Sequence, residues 1–229
     1  MKRVLPLLAA VAVGLGAPDG AAAERRQVTL RAGGDSISLT VVLPDAYQDG
    51  GAHPVVLALP PGAGTRAMVD SILAAYWIEE GNRRGYVLVS PAVPGPDLES
   101  SGRGVLDSLF AWMDENLSYD PARVTLAGQS NGGLGAFYLA RMAPERFSSI
   151  VVMPGGYGGR GDLDSMSGKP VLLLVGERDT GWVQLSEHTR DLLSLANARP
   201  RLQIIPGAGH VFPYPQTALY DWIEQYHPE

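Results

Sequence analysis

Short, continuously apolar runs alternate with longer amphipathic ones along most of the chain. The apolar runs fall at residues 55–59, 86–89, 124–127, 150–153, 171–175 and 202–205. Runs this short, apolar on both sides, suit strands covered by helices on each face. Between them the pattern predicts helices at about 66–82, 101–117, 131–142, 183–196 and 215–226. Strand and helix in alternation imply a mostly parallel, twisted sheet of about eight strands with right-handed crossovers. Ahead of it, two β-rich runs at 27–31 and 36–43 flank Ala32-Gly33-Gly34-Asp35, the signature of an antiparallel hairpin. Residues 155–161, rich in glycine, read as a mobile surface loop rather than a boundary, because the strand pattern resumes at Val171.

The 229 residues, 45% of them hydrophobic, are enough for one substantial core. The first segment stands apart. Lys2 and Arg3 precede an uncharged apolar run at 4–17, and Ala21-Ala22-Ala23 precedes the charged Glu24-Arg25-Arg26. That order is a secretory leader with cleavage after Ala23, which leaves 24–229 as a single domain, secreted or periplasmic. The apolar run is shorter than the roughly 20 residues of a spanning helix, so no membrane span is expected after cleavage. The net charge of −6 offers no basic surplus for phosphates, which argues against nucleic acid as a partner. With no cysteine, thiol catalysis and thiolate metal sites are excluded. His53, His188, His210 and His227 show no metal-ligand spacing, so no metal is expected.

The most informative stretch is Gly128-Gln129-Ser130-Asn131-Gly132, preceded by an apolar strand and followed by a helix of small residues. In a strand-turn-helix context, G-x-S-x-G lifts the serine hydroxyl above the sheet edge, where side chains at either glycine would collide. A serine hydroxyl is a weak nucleophile, so it needs a histidine to take its proton and an acid to orient that histidine. The run at 171–175 leads into Gly176-Glu177-Arg178-Asp179, and the run at 202–205 into Pro206-Gly207-Ala208-Gly209-His210. Both therefore reach the carboxyl edge of the sheet, where Ser130 sits. Asp179 is the preferred acid, with Glu177 as the alternative and helix N-capping as the competing role for Asp179. His210 is preferred because His188 falls in a helix, His53 precedes the sheet core and His227 is near the end.

An attacked carbonyl also needs two backbone donors for its developing oxyanion. One is expected from Asn131, at a helix N-terminus. The other belongs to the loop Pro60-Pro61-Gly62-Ala63-Gly64, whose prolines have no N–H, so Ala63 is preferred and Gly62 is the reserve. Trp182 and Phe212 stand next to the acid and the histidine as a possible aromatic wall for substrate, packing being the alternative.

Taken together, Pro60-Pro61-Gly62-Ala63-Gly64, the serine motif, Gly176-Glu177-Arg178-Asp179 and Gly207-Ala208-Gly209-His210 resemble the α/β-hydrolase superfamily across about 28–226. The opening Val41-Val42-Leu43-Pro44-Asp45-Ala46-Tyr47, the helix end Met142-Ala143-Pro144-Glu145-Arg146-Phe147 and the leader are similar to secreted esterases grouped with feruloyl esterases, polyhydroxybutyrate depolymerases and the phospholipase/carboxylesterase set. One departure is Pro61, which stands where relatives often carry the histidine of H-G-x-G. The resemblance implies the α/β-hydrolase fold and an ester hydrolysed through Ser130, His210 and Asp179 by way of an acyl-enzyme, without a cofactor. Residues 154–169 leave little room for a cap domain, so it also implies an open site for a small-molecule or polysaccharide-linked ester; a monomer is expected. The rival functions are a serine peptidase on the same fold and a non-catalytic binding protein that keeps the scaffold.

Overall fold

The computed structural model describes residues 23–32 and 35–227. The expected leader at 1–23 therefore lies outside the described residues except for Ala23, as do the hairpin glycines Gly33 and Gly34. The sheet has eight strands: β1 (Glu24–Ala32), β2 (Asp35–Leu43), β3 (His53–Leu59), β4 (Val87–Pro91), β5 (Tyr119–Gly128), β6 (Ser149–Val152), β7 (Pro170–Gly176) and β8 (Arg199–Ile205), in the order β1-β2-β4-β3-β5-β6-β7-β8. β1 and β2 form the antiparallel hairpin, with Glu24 opposite Leu43, and β2 lies antiparallel to β4. From β4 to β8 every pairing is parallel.

The period of two along each strand divides the interior into two cores. In β3, Val55, Leu57 and Leu59 face one side while Val56 and Ala58 face the other, and Leu172 and Leu173 of β7 part in the same way. On the first side lie α3 (Leu98–Asn116), α4 (Asn131–Met142) and α5 (Thr180–Leu195), which contribute Leu109, Phe137 and Leu193. On the second lie α1 (Arg66–Tyr76), α2 (Ile78–Arg84) and α6 (Gln216–Glu224), with Leu73, Leu219 and Ile223 buried there. Because both faces are covered, β3, β4, β6 and β7 carry no polar alternation, which is why they read as continuous apolar runs.

Two expectations need correction. The helix expected at 66–82 is two helices, because Trp77 leaves helical geometry at φ −129° and ψ −35°. The break turns its indole into the second core, edge-on to Tyr220 with ring centroids 5.8 Å apart. The glycine-rich stretch is not a surface loop along its whole length, since Gly155, Gly156 and Tyr157 are buried. A Cβ on Gly133 would stand 2.5 Å from the Pro154 carbonyl oxygen, so glycine there permits two backbones to touch. Ser186 Oγ donates to the Gly155 carbonyl and the Tyr157 N–H donates to Thr189 Oγ1, which ties this stretch to α5.

Candidate active site

The turn from β5 into α4 places Ser130 at the carboxyl edge of the sheet. Ser130 has φ 55° and ψ −118°, a backbone conformation that L-residues rarely adopt. Neighbouring contacts hold it there. The Ser130 N–H donates to the Pro154 carbonyl at 2.8 Å, and the Gln129 N–H donates to the Leu59 carbonyl at 3.3 Å. A Cβ on Gly128 would lie 2.2 Å from the Gly132 carbonyl oxygen, and one on Gly132 would lie 2.3 Å from that of Leu59. The collision expected at both glycines follows from these distances.

Asp179 and His210 arrive at the same edge from the loops after β7 and β8. The loops are fastened to each other: the Glu177 N–H donates to the Ile205 carbonyl, the Arg178 N–H to that of Ala208, and the Gly207 N–H to Glu177 Oε2 at 2.7 Å. So Glu177, the alternative acid, has its carboxylate on the backbone of the histidine loop. Asp179 Oδ2 lies 2.5 Å from His210 Nδ1, and His210 Nε2 lies 2.9 Å from Ser130 Oγ. An ionised carboxylate only accepts, so Nδ1–H donates to Asp179 and Nε2 is left to accept from the serine hydroxyl. Asp179 occupies the N-cap position of α5 without a side-chain capping bond, its carboxylate being turned to the imidazole instead. The His210 side chain is 41% exposed and that of Asp179 18%, so solvent reaches the imidazole that bridges the other two groups.

The loop of the expected donors meets the residue after the serine, since Asn131 Nδ2 donates to the Gly62 carbonyl. The N–H groups of Asn131, Ala63 and Gly62 have no hydrogen-bond acceptor among the described residues. Of the two aromatic candidates, Trp182 is half-buried with its ring centroid 5.6 Å from that of His210. Phe212 is different: it is 5% exposed within the second core, so the wall expected of it is corrected to packing. Its turn of backbone still matters, since the Tyr76 hydroxyl donates to the Phe212 carbonyl at 2.8 Å and receives Gln129 Nε2 at 3.4 Å. Burial raises the Tyr76 pKa, which keeps that hydroxyl protonated and donating. The sequence carries no motif that marks Tyr76, because its role comes from two loops more than fifty residues away.

Among the described residues no three His, Cys, Asp or Glu side chains gather at metal-ligand spacing, and no helix is long and apolar enough to cross a membrane.

Residues 100–212, which include Ser130, Asp179 and His210, match the Esterase family model. No curated protein matches the chain. Among solved structures, the chain is similar to a ferulic acid esterase from the anaerobic fungus Anaeromyces mucronatus, at 15% identity and a TM-score of 0.73 over 93% of this chain and 94% of that one. It is also similar to a dienelactone hydrolase from Anabaena variabilis, at 23% identity and a TM-score of 0.67 over 91% of this chain and 100% of that one. A thermostable esterase aligns at 18% identity and a TM-score of 0.68 over 89% of this chain, which spans 60% of the length of that enzyme.

Proposed function

We propose, for a chain that is an α/β hydrolase by fold and carries the Esterase family match over 100–212, that it is a serine esterase. The observation that carries this reading is the continuous path from Asp179 Oδ2 through both nitrogens of His210 to Ser130 Oγ. In the proposed cycle His210 Nε2 takes the hydroxyl proton as Ser130 Oγ attacks the ester carbonyl. The tetrahedral oxyanion is received by the Asn131 N–H and, from the β3–α1 loop, the Ala63 N–H, with Gly62 as the reserve. On collapse the imidazolium returns the proton to the departing alcohol, leaving an acyl-enzyme. Water, deprotonated by the same nitrogen, then releases the acid and regenerates the serine. Asp179 stays ionised throughout and stabilises the imidazolium.

The exposure of His210 and the half-buried Trp182 beside it favour an ester presented at the surface over a long acyl chain taken into a tunnel. A small-molecule ester or an ester decoration on a polysaccharide fits, and the ferulic acid esterase neighbour adds hydroxycinnamoyl esters to the panel worth testing. We further propose action outside the cytoplasm, on the strength of the leader-like order of charged, apolar and small residues at 1–23 in the sequence. The test is turnover of acetyl, butyryl, octanoyl and feruloyl esters beside a set of peptide amides, with Ser130→Ala as control. Ester turnover lost in Ser130→Ala is the expected result. Amide turnover without ester turnover would instead favour a peptidase.

A further inference from the structure

The loop that would supply the second oxyanion donor is packed at Gly64 against the Val93–Pro94 backbone but has few hydrogen bonds to fix the direction of its peptides. Pro60 and Pro61 have no N–H, and the Gly64 N–H is used within the loop, donating to the Pro61 carbonyl at 3.1 Å. Gly62 adopts φ +57° and Gly64 φ +64°, so the backbone turns twice within three residues. Two side chains reach this turn: Met68 packs on Gly62, where a Cβ would stand 2.8 Å from its Cε, and Asn131 Nδ2 lies 3.1 Å from the Gly62 carbonyl oxygen, the one side-chain hydrogen bond to the loop among the described residues. A carbonyl only accepts, so the amide nitrogen of Asn131 is the donor, which settles which way its amide faces.

That bond falls on a particular peptide. The Gly62 carbonyl and the Ala63 N–H belong to the same planar unit, which is trans, so they point in opposite directions. Fixing the carbonyl fixes the direction of the Ala63 N–H. The anchor itself is firm. Asn131 is the first residue of α4, its own carbonyl packs against Gly95, where a Cβ would stand 1.7 Å away, and the neighbouring Gly132 is pressed on Leu59 and Pro60.

We infer that the Asn131 side chain is a positioning residue that clamps the Gly62–Ala63 peptide, so that one residue both offers its backbone N–H to the oxyanion and aims the second donor, Ala63. This rests on the esterase reading above and adds to it. A clamp of this kind acts on the transition state more than on the bound ester, because only the tetrahedral oxygen reaches full charge against the donors.

The experiment compares wild type with Asn131→Leu, which keeps the side-chain size and the backbone N–H but removes the donor, and with Asn131→His, whose Nδ1–H can replace it. For a short-chain ester, Asn131→Leu is expected to lower kcat about 10- to 100-fold with KM changed less than about threefold, somewhat less than removing an oxyanion donor outright. Affinity for a trifluoromethyl ketone, which forms a tetrahedral adduct on the serine, should fall by a similar factor, and Asn131→His should recover part of both losses. The melting temperature should move by no more than about 2 °C in either variant. Wild-type turnover with Asn131→Leu unimpaired overturns the clamp alone. A melting-temperature drop larger than this, accompanied by a rise in KM as large as the fall in kcat and no recovery in Asn131→His, overturns it in favour of a purely structural bond. Absence of ester turnover in wild type sinks the esterase reading itself.

Discussion

Replacing Ser130 by glycine should make the protein more stable than replacing it by alanine, although both abolish the hydroxyl. Neither variant can bond His210, so the loss of that 2.9 Å contact cancels in the comparison. What differs is the backbone. At φ 55° and ψ −118° a Cβ is strained, at a cost of about 1–3 kcal/mol for a residue held in such a region. Glycine escapes that strain but loses more freedom on folding, which takes back roughly 0.5–1 kcal/mol. The balance favours Ser130→Gly by about 1 kcal/mol. For a chain of this length that is a rise in melting temperature of about 2–4 °C over Ser130→Ala. Thermal and urea unfolding of the two variants, measured side by side at one pH, read the difference directly. If Ser130→Ala proves equal or more stable, then the turn is not strained, and the close contacts at Gly128 and Gly132 do not force the serine into its conformation.

The two candidate acids make a second contrast. Asp179→Asn should leave a folded protein whose kcat falls about 10³- to 10⁴-fold, since the amide favours the wrong imidazole tautomer. Glu177→Gln keeps an oxygen for the Gly207 N–H and should fall less than about tenfold; steady-state kinetics on one ester decide between them. Stability should decline with acid in two windows. Burial, the largest cause, lowers His227 from 6.5 to about 4, so the unfolded chain binds a proton first and stability falls as pH drops from about 6.5 to 4. The hydrogen bond from Arg83, reinforced by Arg84, holds Glu80 at about 2, so a further loss follows between about pH 4.5 and 2. In urea titrations His227→Gln should flatten only the first window and Glu80→Gln only the second, each window having a slope of at most about 1.4 kcal/mol per pH unit.

Legibility varied with how local the determining physics is. Strands β3, β4, β6 and β7 were plain because burial on both faces leaves an unbroken apolar run, and α4 began and ended where its pattern did. The order Ser130, Asp179, His210 was readable because each residue follows an apolar strand, and strands in a parallel sheet all end at one edge. The break at Trp77 was not readable, since Leu73, Tyr76, Trp77 and Ile78 carry apolar side chains straight through it toward the same core. Glycine was ambiguous at 155–156, where the same residue serves flexibility and close approach, and only the positions of β6 and α4 at Gly155 and of α5 at Gly156 separate the two. Phe212 misled because one position beyond the exposed Val211 the chain has already turned inward. The contacts of Tyr76 and of the Asn131 side chain join segments distant in sequence and leave no local pattern at all.

The account depends on Ser130 being an activated nucleophile, and a fluorophosphonate probe followed by intact-mass and peptide analysis measures that property. Wild type should gain a single adduct located on Ser130, His210→Ala should react far more slowly, and Ser130→Ala should gain none. An unmodified wild-type protein, or an adduct that persists in Ser130→Ala, would contradict the proposal.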